Sequence, residues 1–103
     1  MRSDLLDWAD NRFLQDAGFS KRKTFGSPSY YRGKKLFAFL YEDALGIKLP
    51  PARVDEKIAD DPEVYAHFNP GDGIMRNWLL ITHPEASDYD TEEELIAEAL
   101  AKF

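Results

Sequence analysis

The sequence predicts an α+β domain: an antiparallel sheet of about five strands with a helix at each terminus and one short helix between, in the order α-β-β-β-α-β-β-α. Apolar residues recur at steps of three and four at both ends of the chain, which is the helical period. The middle carries aromatic and aliphatic runs broken by Gly, Pro and paired lysines, which is how strands and their turns read. Most of these breaks are too short for a crossover helix, so the strands join as hairpins and a Rossmann-type nucleotide fold is disfavoured. With 103 residues, 44% of them apolar, residues 1–103 form a single domain of radius ~13 Å.

The first helix begins near Ser3, a suitable N-cap, with Asp4 and Asp7 in its first turn. Its stripe is Leu6, Ala9, Phe13 and Ala17, flanked by Leu5 and Trp8, and Gly18 offers the left-handed position that ends it. Strands fill the stretch from Thr24 to about Leu49, with breaks at "RGKK" and "EDA". A turn at Asp43-Ala44 sets Leu40 opposite Ile47 and Ala38 opposite Leu49. Strict alternation then gathers Leu36, Ala38, Leu40, Ile47 and Leu49 on one face and Phe37, Phe39, Tyr41 and Lys48 on the other. A sheet apolar on both faces has layers on both sides, or an exposed face used for binding.

A short helix starts near Pro51 with Val54 and Ile58 on its thin stripe. "VYAHF" and "WLLITH" are strands joined by "NPGDGIMRN", whose Asn, Pro and glycines are turn residues. In the last helix Thr91 and Glu94 make a capping box, followed by Leu95, Ile96, Ala99, Leu100 and Phe103 at helical spacing.

Composition narrows the function classes. The chain has no cysteine, so disulfides, thiol nucleophiles and cysteine zinc sites are excluded. No apolar run approaches the ~20 residues of a membrane span, and "MRSDLLDWAD" lacks a signal-peptide core. A soluble, cytoplasmic protein without membrane partners is the expectation. The net charge of −6 hides a division. Positions 20 to 41 hold Lys21, Arg22, Lys23, Arg32, Lys34 and Lys35 and no acid, whereas Glu85 to Glu98 holds seven acids and no Lys or Arg. Such asymmetry bears on partners rather than on fold.

Candidate chemistry is sparse. His67 and His83 are the groups that titrate near neutral pH, but pairing through "PGDG" places His67 near Leu79 and His83 on the order of 13 Å further along. One shared metal is then out of reach, with Asp72 or Glu85 as the acids that could join either histidine. Ser27 and Ser29 flank Pro28 with no nucleophile elbow around them. "NPGDG" lacks a phosphate-loop lysine, and Glu92-Glu93-Glu94 occupies a first helical turn that favours acids anyway. No catalytic, cofactor or metal residue is therefore assigned. Tyr30, Phe37, Phe39 and Tyr41 interleave with the six bases as a candidate contact surface, since single-strand binders pair a basic groove with aromatic stacking platforms.

The segments "RKTFGSPSYYRGKKLFAFLYEDALGIKL" and "DPEVYAHFNPGDGIMRNWLLI", followed by an acidic-start terminal helix, resemble the N-terminal domain of the TfoX/Sxy competence regulators. More distantly they are similar to the MmcQ/YjbR proteins. The resemblance rests on "K-x-F-G" at Lys23 to Gly26, on "GIKL", on the segment from Gly71-Asp72-Gly73 through Met75 to Trp78, and on the final helix. It implies a small α+β domain with helices packed on an antiparallel sheet, standing without the second domain of the full regulators. Where that family reads F-G-G, this chain has Phe25-Gly26-Ser27-Pro28.

The leading functional expectation is a non-catalytic interaction domain, regulatory in character, that binds a protein partner or a second copy of itself. The alternative is DNA or RNA binding through the basic segment 21–35, and an enzyme of unknown type is the third reading. Whether the Phe37, Phe39, Tyr41 face is covered or open decides between core and binding surface.

Overall fold

In the computed structural model the described residues are 2–15, 17–24 and 27–101, with the side chain of Thr24 outside the description. The elements are α1 (Ser3–Phe13), β1 (Phe19–Thr24), β2 (Ser27–Arg32), β3 (Lys35–Tyr41), β4 (Ala44–Lys48), α2 (Pro51–Asp60), β5 (Tyr65–Phe68), β6 (Met75–Ile81), a 3-10 segment (Ala86–Glu92) and α3 (Glu93–Ala101). The fold is α+β, with an antiparallel six-stranded sheet in the order β1-β2-β3-β4-β6-β5. One strand more than expected arises from β1. Its sequence FSKRKT has a single large apolar residue, as suits an edge strand whose charges discourage further pairing. The radius of gyration is 12.7 Å.

Cross-strand register divides the sheet into rows. Tyr30, Ala38, Ile47, Leu79 and His67 oppose one another in turn from β2 to β5, as do Leu40, Leu45, Ile81 and Tyr65 from β3 to β5. These rows face the helices. Phe13 of α1 packs against Tyr30 and Phe37 with ring centroids 5.1 and 5.2 Å apart, α2 lies on β5 and β6, and α3 lies on β4. The alternate row of Ser29, Phe39, Gly46, Leu80 and Ala66 faces the other way.

Several expectations shift. Helix α1 ends at Phe13 with Leu14 as its C-cap, short of Gly18, and its buried stripe is Leu5, Ala9 and Phe13, while Leu6 is half-buried and Ala17 exposed. Ser3 lies inside the helix and Arg2 takes the N-cap position. The β3–β4 turn is Glu42-Asp43, so Leu40 opposes Leu45 and Ala38 opposes Ile47. That shift of two residues keeps every side chain on its face, because the pleat repeats every two. Thr91 does not cap α3. Its hydroxyl donates to the Asp88 carbonyl at 2.7 Å within the 3-10 segment, which runs directly into α3. The capping box belongs instead to Glu85 and Asp88 at the start of that segment. The turn at Phe25-Gly26 and the packing of Phe103 lie outside the described residues.

The larger correction concerns the aromatic face. Tyr30 opposes Ala38 but Tyr31 opposes Leu36, so Phe37 is an extra residue in β3, a bulge that breaks strict alternation. Phe37 therefore turns into the helix-side core against Phe13 and Phe19, and Leu36 moves to the opposite face, beside Trp78. Lys48 and Trp78 share that opposite face.

Two backbone positions set testable limits. A Cβ on Gly46 would stand 2.5 Å from Phe39 Cζ, and that ring is wedged between Phe68 and Trp78 at 4.8 and 4.9 Å. Gly46→Ala should lower stability by about 1–3 kcal/mol in urea unfolding; a neutral result would mean that the ring moves freely. Glu42 holds φ of 54°, a left-handed conformation unfavourable for a residue with a Cβ. Glu42→Gly should raise stability by about 0.5–1 kcal/mol, and a lower melting temperature would count against strain at this turn.

Candidate functional site

The helix-free face of the sheet is shaped by aromatic rings that reach across strands. Phe68 of β5 packs on Phe39 and Tyr41 of β3 at 4.8 and 5.1 Å, although β4 and β6 lie between β5 and β3 in the sheet. Three strand spacings of about 4.8 Å would hold those rings apart on a flat sheet. The sheet must coil. Register supplies the means: His67 opposes Leu79 while Phe68 opposes Met75, leaving Arg76, Asn77 and Trp78 of β6 between the two pairs. The end of the β5–β6 hairpin thus folds across the face, and Gly46 leaves the floor low enough for the Phe39 ring.

Two clefts result. The larger, about 600 Å³, is lined by Phe39, Tyr41, Phe68, Trp78, Leu36, Met75, Pro70, Ser27, Ser29 and Asp72. The smaller, about 520 Å³, is lined by Lys35, Leu36, Lys48, Leu49, Pro50, Pro51, Asn77 and Trp78. Leu36 and Trp78 belong to both and form the shared wall. Pro51, at the start of α2, is the one lining residue from a described helix. The rings are well seated, Phe39 at 8% and Trp78 at 6% exposure, while Ile74 and Met75 at 50% and 42% are the exposed large apolar residues among those described. Each cleft falls within the size range of small-ligand pockets.

The predicted contact residues separate into three groups. Lys35, Phe39 and Tyr41 border the clefts. Tyr30 and Phe37 are fully buried and offer no contact surface, since the bulge directs Phe37 inward and Tyr30 donates its hydroxyl to Asp10 at 2.7 Å. Burial and that hydrogen bond both raise the Tyr30 pKa. The other bases do not converge. Lys21 pairs with Asp10 at 3.0 Å, Arg22 lies over the Tyr31 ring, Arg32 donates to the Leu100 carbonyl at 3.1 Å, and Lys23 and Lys34 are exposed on β1 and in the β2–β3 turn. Lys48, which alternation had set on this face, and Phe68, Trp78 and Asp72, which were not among the predicted contact residues, also line the clefts. Lys48 and Trp78 oppose each other across β4 and β6, a pairing that sequence alone does not disclose.

A second cluster lies on the helix side. Glu92, only 4% exposed, accepts from the Tyr65 hydroxyl at 2.8 and 2.9 Å and contacts His83 Nε2 at 2.7 Å. Burial first, then the bond to Glu92, raises the Tyr65 pKa. The Tyr89 hydroxyl accepts from the His83 backbone N–H at 3.0 Å and donates to the Ile81 carbonyl at 3.2 Å. None of these residues lines either cleft. The cluster fastens the 3-10 segment and α3 to the edge of the sheet. His67, the other histidine, meets Asp55 of α2 at 3.1 Å, and among the described residues no group of three His, Asp or Glu side chains is placed to hold a metal. No described helix is long and apolar enough to cross a membrane.

No family model, curated protein or solved structure matches this chain.

The Glu92 cluster predicts unequal effects from adjacent acids. Glu92→Ala leaves the Tyr65 hydroxyl and His83 Nε2 without their buried acceptor and should cost about 3 kcal/mol in urea unfolding. Glu93→Ala, which removes a surface pair with Arg12, should cost at most about 1 kcal/mol. Equal losses would show that Glu92 is not a fastener.

Proposed function

We propose that the chain is a non-catalytic interaction domain that binds an extended segment of a protein partner on the helix-free face of its sheet. The observation that carries this is the pair of clefts sharing the Leu36–Trp78 wall. Two adjoining hollows with an aromatic floor suit successive side chains of one peptide, with buried rings as anchors and charged groups at the rims. The imidazole–carboxylate pair of His83 and Glu92 is spent on fastening helices, away from both hollows. The order of segments that resembles the TfoX/Sxy N-terminal domain supports a regulatory setting for such binding.

Nucleic acid is the second reading, supported by the exposed Lys23 and Lys34. It is weakened by Lys21 and Arg32, which engage groups of this chain, and by the burial of Tyr30 and Phe37.

Selection from a random peptide display against the whole chain tests the proposal. Enriched peptides should lose affinity about tenfold or more on Tyr41→Ala, as expected when an aromatic anchor is removed. A dimer seen by light scattering and abolished by the same substitution would identify the partner as a second copy. Peptides indifferent to Tyr41→Ala would overturn the proposal. So would an empty selection together with a labelled oligonucleotide that binds at ~50 mM salt and releases steeply with added salt.

A further inference from the structure

The two clefts differ in the charge of their rims. Among the described residues Asp72 is the one charged residue lining the larger cleft, whereas the smaller is lined by Lys35 and Lys48. Resting on the interaction-domain reading, we infer that the larger cleft is a subsite for a cationic side chain of the partner, a lysine or arginine whose apolar stem lies on the aromatic floor and whose charge meets Asp72.

Three features support this occupant. Among the described residues the cleft offers four rings, Phe39, Tyr41, Phe68 and Trp78, and the negative face of an aromatic ring attracts a cation more strongly as water is excluded. Asp72 is held on a constrained turn: Asn69 Oδ1 accepts from the backbone N–H groups of Gly71 and Gly73 at 2.9 and 3.3 Å, and both glycines have positive φ, 120° and 125°. The carboxylate is therefore carried on a turn whose backbone is fixed before a ligand arrives, which lowers the ordering cost of binding. Met75, at 42% exposure on the cleft, is an adaptable thioether surface for a methylene stem. An acidic side chain would meet Asp72 with like charge here.

Three benzyl probes of different charge, benzyltrimethylammonium, benzyl alcohol and phenylacetate, are titrated into the whole chain and into Asp72→Asn, whose comparison separates charge from shape, and are followed by amide shifts and the Trp78 indole N–H resonance. Benzyltrimethylammonium should bind about tenfold more tightly than benzyl alcohol and shift residues of the larger cleft. Asp72→Asn should remove most of that preference and leave the alcohol unchanged, and Asp72→Lys should favour phenylacetate. Equal binding of cation and alcohol, a preference that survives Asp72→Asn, or shifts confined to other surfaces would each overturn the inference. An alcohol that enters the cleft without any charge preference leaves the interaction face standing. Failure of all three probes alongside an empty peptide selection overturns both.

Discussion

One extra residue in β3 decides which aromatic rings hold the fold together and which remain for other work. Phe37, accommodated as a bulge opposite Tyr30-Tyr31, enters the helix-side core against Phe13 and Phe19. Leu36, the residue before it, changes face in consequence. Leu36 and Phe39, three apart, come to share the other face, where an unbroken strand would have opposed them. Without the bulge the helices would lose a fully buried ring from their contact surface, and Leu36 would be lost from the wall between the clefts. The core and the wall between the clefts are thus two outcomes of a single backbone irregularity.

The division of charge along the chain has a partly internal explanation. Arg32, in the basic stretch, donates to the Leu100 carbonyl in the last turn of α3, where unsatisfied carbonyls and the negative end of the helix dipole favour a cation. Lys21 pairs with Asp10 of α1, and Arg12 of α1 pairs with Glu93 of α3. Arg53 of α2 reaches Glu98 of α3 at 3.0 Å, and its pKa is raised by that hydrogen bond. Arg2 joins the N-terminus to the carbonyls of His83 and Pro84. Bases therefore stitch the helical layer to itself and to the sheet across long stretches of sequence. Each exposed pair contributes little alone, but together they orient three short helices, of which α2 has only Val54 fully in the core.

The helices and hairpins were legible because each leaves a local trace: periodicity for α1 and α3, Pro51 at the start of α2, Gly33 with φ of 63° in the β2–β3 turn. The bulge leaves none. "KLFAFLY" is apolar at every position after Lys35, so no polar residue marks which one is extra, and alternation assigns Phe37 to the wrong face. β1 was missed for the opposite reason, since an edge strand rich in bases lacks the apolar alternation by which strands are recognised. The burial of Glu92 did have a trace. It precedes Leu95, Ile96 and Ala99 by three, four and seven residues, and so continues the buried stripe of α3 back into the 3-10 segment. A carboxylate on an apolar stripe requires partners, and Tyr65 and His83 are those partners. Lys35, Phe39 and Tyr41 were recognised by composition and Lys48 by alternation, whereas Phe68 and Trp78 join them only through register and coiling.

Shape and charge on the helix-free face have separate origins. The rings of Phe39, Phe68 and Trp78 pack on one another and rest on the Gly46 floor, so the form of the clefts is tied to the stability of the sheet and resists change. Asp72, Lys35 and Lys48 are exposed, one on a turn and two at strand ends, and none belongs to the core. Substitutions at such positions leave the packed interior intact. Folding therefore accounts for the aromatic floor, while the rim charges stand outside the packed interior.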